Sequence, residues 1–143
     1  WGAAELGAAL GRHGLQGEVL LPGYVAEADL PALYTLADLF VFPSLTEGFG
    51  LPPLEAMACG TPVLVPDRPP FDETVGDAAL RVDPNDPRAL AEGCLRGVAP
   101  GEEREALRQA GQARAALFTW ESAAQTLSEL FCEAAAEWRQ NGG

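Results

Sequence analysis

Two rhythms of apolar residues run along the chain. Short runs, Val19-Leu20-Leu21, Leu39-Phe40-Val41-Phe42, Val63-Leu64-Val65 and Ala79-Leu80-Arg81-Val82, have the length of strands. The second, unbroken in its apolar character, suits a strand buried on both faces. Between the runs, apolar residues recur at helical spacing. Residues 5–13 put Leu6, Ala9 and Leu10 on one side, with His13 at the end and Gly14 as the stop. Asp29 predicts a cap on a helix carrying Leu30, Leu33, Tyr34 and Ala37, with Pro31 in its first turn. Residues 71–75 predict one or two helical turns. Asp86-Pro87 opens a helix with Leu90, Cys94, Leu95 and Val98 on one face, and Pro100-Gly101 breaks it. Residues 102–117 predict another helix, acidic at its start as the dipole prefers. Thr119 caps a last one, from 120 to about 139, with Ala123, Leu127, Leu130, Phe131 and Ala134 expected to face inward. Strands alternating with helices predict an α/β fold, a Rossmann-like parallel sheet with helices on both faces.

The punctuation is densest between residues 43 and 63. Pro43 closes the strand at 39–42, and a loop follows with Gly48 and Gly50 one residue apart. Pro52 and Pro53 open a short helix, where a missing N–H costs nothing. Gly60 ends it where a left-handed residue is wanted. The strand at 63–65 completes a β-loop-α-β unit, which should cross over right-handed. Such a loop lies beyond the carboxyl end of a strand and before a helix N-terminus. Free N–H groups and the helix dipole meet there, so an anion can sit there. Glycines let a ligand approach the backbone. Two carboxylates flank the loop, Glu47 before the glycines and Glu55 in what should be the first helical turn. A pure phosphate cradle has no use for them. They make sense if the ligand also carries hydroxyls to donate, as a sugar or ribose does.

Composition narrows the partners. The 143 residues are 48% hydrophobic and 21% charged, which fits one soluble domain with a core of its own. No run approaches the ~20 apolar residues of a membrane span, so no transmembrane segment is expected. The N-terminus lacks a basic region followed by an apolar one, so no signal peptide is expected either. The formal net charge is -12, with nine Arg and no Lys. That balance speaks against nucleic acid, whose backbone is held by clustered cations. Cys59, Cys94 and Cys132 fit neither a disulfide framework nor a zinc spacing. They read as small buried hydrophobes in a reducing, cytoplasmic setting. His13 is the only histidine, and nothing around it suggests a nucleophilic triad.

The string Glu47-Gly48-Phe49-Gly50-Leu51-Pro52-Pro53-Leu54-Glu55-Ala56-Met57-Ala58-Cys59-Gly60-Thr61-Pro62-Val63 resembles the signature of the retaining GT-B glycosyltransferases of family four, whose mark is two glutamates separated by seven residues. Gly23-Tyr24-Val25, Leu33-Tyr34, Ala37-Asp38, Pro43-Ser44, Val75-Gly76-Asp77-Ala78-Ala79 and Phe118-Thr119-Trp120 are similar to landmarks of that family in the same order. The resemblance covers nearly all of the chain. It implies the C-terminal, donor-binding domain of a two-domain enzyme that transfers a sugar from a nucleotide-sugar (UDP-, GDP- or ADP-linked) to a carbohydrate or lipid-linked acceptor, with retention, without a metal and without a separate cofactor. It implies that Glu47 faces the transferred sugar as the catalytic carboxylate. The backbone of Gly48, Phe49, Gly50 and Leu51 would face sugar and diphosphate, Glu55 would accept from the ribose, and Gly23 and Tyr24 would lie at the nucleobase.

The chain departs from the family's pattern at its start. The family neutralises the leaving diphosphate with an Arg and a Lys that would precede Trp1, and an electrostatic clamp of that kind is usually a large term. Arg68, the Arg nearest the motif, is expected to be surface or structural. Residues 1–143 are therefore expected to form the nucleotide-sugar-binding domain without its first two strands. The acceptor-holding N-terminal domain would be absent and the piece inactive alone. The family's strand order 3-2-1-4-5-6 would leave the run at 19–21 without its neighbours. The setting implied is cytoplasmic, or the cytoplasmic face of a membrane reached through the absent domain. Three other readings compete: a sugar-nucleotide epimerase of the same fold, a dinucleotide oxidoreductase and a non-catalytic nucleotide-binding or interaction domain. The second is disfavoured, because Pro53 stands where a G-x-G-x-x-G loop needs its third glycine.

Overall fold

The computed structural model describes residues 3–140. The chain divides into two compact units, residues 1–30 and 31–143. In the first, α1 (Ala3–His13) ends at Gly14, whose φ of 67° is the left-handed stop expected of it. The run at 19–21 forms no strand. Leu20 is 86% exposed. Three apolar residues make a strand only against a hydrogen-bonded neighbour, and this segment pairs with none among the described residues. Asp29 does not simply cap the next helix; it ends a 3-10 turn (Glu27–Asp29) that runs straight into α2 (Leu30–Leu36).

The second unit is built on a parallel sheet of three strands, β1 (Phe40–Val41), β2 (Val63–Pro66) and β3 (Leu80–Val82), in that spatial order. Phe40 stands opposite Val63, and Leu64 opposite Leu80. Every residue of β2 is buried. Its side chains alternate between two layers. Val63 and Val65 join a core with Leu54, Ala56 and Met57 of α3 (Leu51–Ala58), Phe71 of α4 (Phe71–Thr74) and Val75. Leu64 points the other way, against Gly93 of α5 (Pro87–Val98). Helices thus cover both faces, as the doubly wound pattern requires. β1 differs from its expected double burial: Phe40 is half-buried and Val41 is 38% exposed, because β1 is the sheet's edge.

The face of α5 that meets the sheet is only partly the one its large residues suggest: Leu90 and Cys94 are half-buried, but Val98 is exposed. Gly93 and Gly97 are buried there, while Leu95 is 71% exposed. A Cβ on Gly93 would lie 2.5 Å from Leu64 Cδ1, and one on Gly97 would lie 2.7 Å from Leu39 Cδ1. Helix and sheet approach too closely for side chains. Asp86 caps α5 as its sequence predicts, accepting from the Arg88 N–H at 2.9 Å.

Helix α6 (Glu102–Ala115) packs on α3, and its Gly111 lies against Met57. Thr119 caps α7 (Trp120–Gln140) through the Ser122 N–H at 3.1 Å. The inward face expected of α7 is not inward: none of its residues is buried, and Phe131 is 71% exposed. Periodicity identifies a stripe but not what covers it. Nor are the cysteines buried; Cys59 and Cys94 are half-buried and Cys132 is exposed. Among the described residues no helix is long and apolar enough to cross a membrane.

Candidate functional site

At the carboxyl end of β1, Phe42 still donates to Leu64 O at 2.9 Å, and then the chain leaves the sheet. It returns at α3, whose N-cap is Gly50 at φ 89°, ψ 54°. A Cβ at Gly50 would sit 3.0 Å from Phe71 Cε1, so the fold alone demands glycine there. Gly48 is different, since a Cβ there would meet nothing within 4 Å. Among the described residues no main-chain carbonyl accepts from the N–H groups of Gly48, Phe49, Gly50 or Leu51, and no side chain caps α3. The prolines at 52 and 53 have no N–H to give. The donors at this helix start are therefore concentrated on Gly50 and Leu51, at the positive end of the α3 dipole.

Glu47 is half-buried in the loop. Glu55 lies in the second turn of α3 rather than the first, so it is not a capping acid, and its side chain is exposed. The Tyr34 hydroxyl of α2 donates to Glu55 Oε2 at 3.0 Å. Burial first, and the bond to Glu55 second, push the Tyr34 phenol up to about 12. Tyr34 is itself fixed. Its ring meets Phe40 edge-on at 5.2 Å, and its carbonyl accepts from the hydroxyl of the buried Thr61.

Glu55 also lines a cavity of about 410 Å³ with Phe49, Leu51, Phe118 and Trp120. Its wall is mostly apolar, with Glu55, Thr119 and Ser122 as polar points. The cavity's far side is latched to the loop. Phe49 and Phe118 meet edge to face at 5.7 Å, and the Arg114 guanidinium lies 5.0 Å over the Phe118 ring. Arg114 also donates to the carbonyls of Thr74, at 2.9 Å, and Glu73. Arg68 is half-buried and donates to Leu45 O at 3.4 Å, which ties the loop to the end of β2. Among the described residues no three His, Cys, Asp or Glu side chains converge where a metal could sit.

Of the residues singled out in the sequence, Glu47, Gly48, Phe49, Gly50, Leu51 and Glu55 all lie in the second unit, and Phe49, Leu51 and Glu55 line one cavity there. Gly23 and Tyr24 belong to the first. Gly23 turns the chain at φ 71°, and Tyr24 is 93% exposed. Sequence reasoning put Tyr34 on a helix face but missed its bond to Glu55, and it missed the Arg114–Phe118–Phe49 latch. No local pattern signals either, because the partners are joined only by the fold.

Comparison with known proteins bears on the family and the fold. The profile of the family described as glycosyl transferases, group 1, matches residues 4–114. O-antigen chain mannosyltransferase B of Escherichia coli is 45% identical over 107 residues, covering 75% of this chain and 28% of that protein. Among solved structures, sucrose-phosphate synthase from Thermosynechococcus elongatus superposes with a TM-score of 0.84 at 32% identity, covering 94% of this chain and 34% of that one. Anabaena HepE, solved in complex with UDP and glucose, gives 0.83 at 27% identity, covering 91% and 36%. The chain spans about a third or less of the length of these relatives. It belongs to the group 1 glycosyltransferases of family-four type, and its fold is that of their C-terminal GT-B domain.

Proposed function

We propose that this chain is the donor-binding part of a glycosyltransferase that moves a sugar from a nucleotide-sugar to a carbohydrate or lipid-linked acceptor, with retention and without a metal. One observation carries the reading. Between β1 and α3, the loop that carries Glu47, Gly48 and Gly50 has N–H groups with no carbonyl partner among the described residues, and Glu55 follows in α3. Amides suit the diphosphate, and carboxylates suit the hydroxyls of sugar and ribose. In this reading Glu47 is the catalytic carboxylate facing the transferred sugar. The backbone of Gly48, Phe49, Gly50 and Leu51 receives sugar and diphosphate, and Glu55 accepts from the ribose. The similarity to Anabaena HepE, which was solved with UDP and glucose, supports a donor of this class.

The rest of the enzyme supplies what these residues do not. As the bond from sugar to diphosphate breaks, negative charge grows on the leaving oxygen, and loop amides alone meet only part of it. The cationic partners and the acceptor-holding domain belong, in this reading, to the remainder of the parent protein. In this reading residues 1–143 belong to its donor domain and contribute the three strands described above. The reaction is placed in the cytoplasm, with any membrane contact made through that remainder.

Equilibrium titration of the intact parent protein with UDP, GDP, ADP and NAD tests the reading. At least one nucleoside diphosphate should bind, and Glu55→Ala should weaken it. Binding of NAD alone, or binding indifferent to both glutamates, overturns it.

A further inference from the structure

Glu55 is a surface carboxylate on a helix, and a side chain of that kind ordinarily wanders among several rotamers. Here it does not stand alone. Tyr34 reaches it from another element and binds Oε2. Tyr34 is not a wall of the cavity that Glu55 lines, so its contact with whatever fills that cavity would be indirect. The tyrosine is itself held at two further points. The Phe40 edge holds its ring, and Thr61 holds its carbonyl. Phe40 in turn stacks on Phe42 at 5.9 Å, and Phe42 meets Phe71 at 6.2 Å, so an aromatic row carries the phenol back into the core.

We propose that Tyr34 is a positioning residue for the donor site: by holding Oε2 of Glu55 it fixes the carboxylate and leaves Oε1 to receive the ribose hydroxyls of the nucleotide-sugar. This rests on the donor-site reading of Glu55. Tyr34 donates one hydrogen bond, to Glu55, and does not line the cavity that Glu55 lines. It acts by removing a conformational search that binding would otherwise have to perform. The shift of its phenol fits a hydroxyl that keeps its proton for Glu55.

The test uses the intact parent protein and two ligands, a nucleoside diphosphate that it binds and the 2′,3′-dideoxy form of that nucleotide. Wild type should prefer the ribonucleotide. Tyr34→Phe keeps the ring against Phe40, so the fold is retained. It should lose about three- to tenfold in affinity for the ribonucleotide, the fraction of rotamers no longer selected. Its affinity for the dideoxy form should not change. In a Glu55→Ala background, Tyr34→Phe should have no further effect on either ligand. An equal loss for both ligands means a merely structural tyrosine, and no loss for either means an idle one; both overturn the proposal. If wild type itself does not distinguish the two nucleotides, Glu55 does not serve the ribose. That outcome overturns the donor-site reading and the proposal with it, and it is recognised before any Tyr34 variant is made.

Discussion

Gly48 and Gly50 make separate demands on the same loop. Gly50 holds a left-handed φ and lies under Phe71, so Gly50→Ala or Gly50→Val is expected to destabilise the fold by about 1–2 kcal/mol or more, whatever binds nearby. A loss of nucleotide affinity in those variants would be ambiguous. Gly48 has neither constraint. Gly48→Ala should leave thermal unfolding within about 0.5 kcal/mol of the parent while weakening nucleotide binding about tenfold. Unchanged affinity in isothermal titration would show that the diphosphate approaches elsewhere. For the carboxylates, Glu55→Ala should weaken nucleotide binding by about 1–3 kcal/mol. Glu47→Ala should lower turnover more than affinity, and steady-state kinetics beside titration would expose the opposite pattern. Tyr34 adds a pH signature. An unfolded phenol ionises near ~10, whereas the folded one does so near about 12. Folding thus favours the protonated form, and the associated stability is whole below pH ~10 and is lost as the pH rises toward 12. Tyrosinate absorbance should show a late-titrating component that Tyr34→Phe removes. At this scale the sequence was legible where a residue's demand is local, as at Gly60, whose φ of 78° is the left-handed stop expected of it. It was silent on Tyr34, because that hydroxyl finds its carboxylate only after α2 and α3 are set against the sheet.

Among the elements, α5 shows how a pattern of large residues can mislead. Leu90, Cys94, Leu95 and Val98 are the obvious apolar positions, yet only the first two are half-buried, and the helix lies closest on Gly93 and Gly97. A methyl at either gains about 1 kcal/mol of helix propensity. Against that stand buried Leu64, which cannot swing aside, at Gly93, and Leu39 and Leu80 at Gly97. Overpacking of this kind costs about 1–3 kcal/mol, so Gly93→Ala and Gly97→Ala should each lower the midpoint of denaturant unfolding. Gly7→Ala on α1 meets nothing within 4 Å and should raise it or leave it alone. If all three behave alike, the close approach of α5 to β2 is wrong. The order of the β1-loop-α3-β2 unit was legible because prolines and glycines mark each of its ends, but not that β1 is an edge or that Glu55 lies a turn inside α3. The α7 stripe was legible as a stripe, but its burial was a guess about a neighbour that no periodicity contains.

Across the whole molecule, the sheet has a free edge at β1, where Val41 is half-open, and the apolar residues of the 19–21 run and of α7 are exposed. An unprotected strand edge invites pairing with other chains. Purified residues 1–143 are therefore expected to self-associate or melt without a sharp transition. Light scattering that shows a monomer, with cooperative unfolding, would contradict this. The run at 19–21 was misjudged as a strand at this same scale, since strandhood belongs to a pair and not to a segment. The chain of contacts from Thr74 through Arg114 and Phe118 to Phe49 has a consequence of its own. A genetic selection for parent-protein variants that cannot use their nucleotide would return Arg114 beside Glu47 and Gly50, one phenotype from positions that a linear map sets far apart.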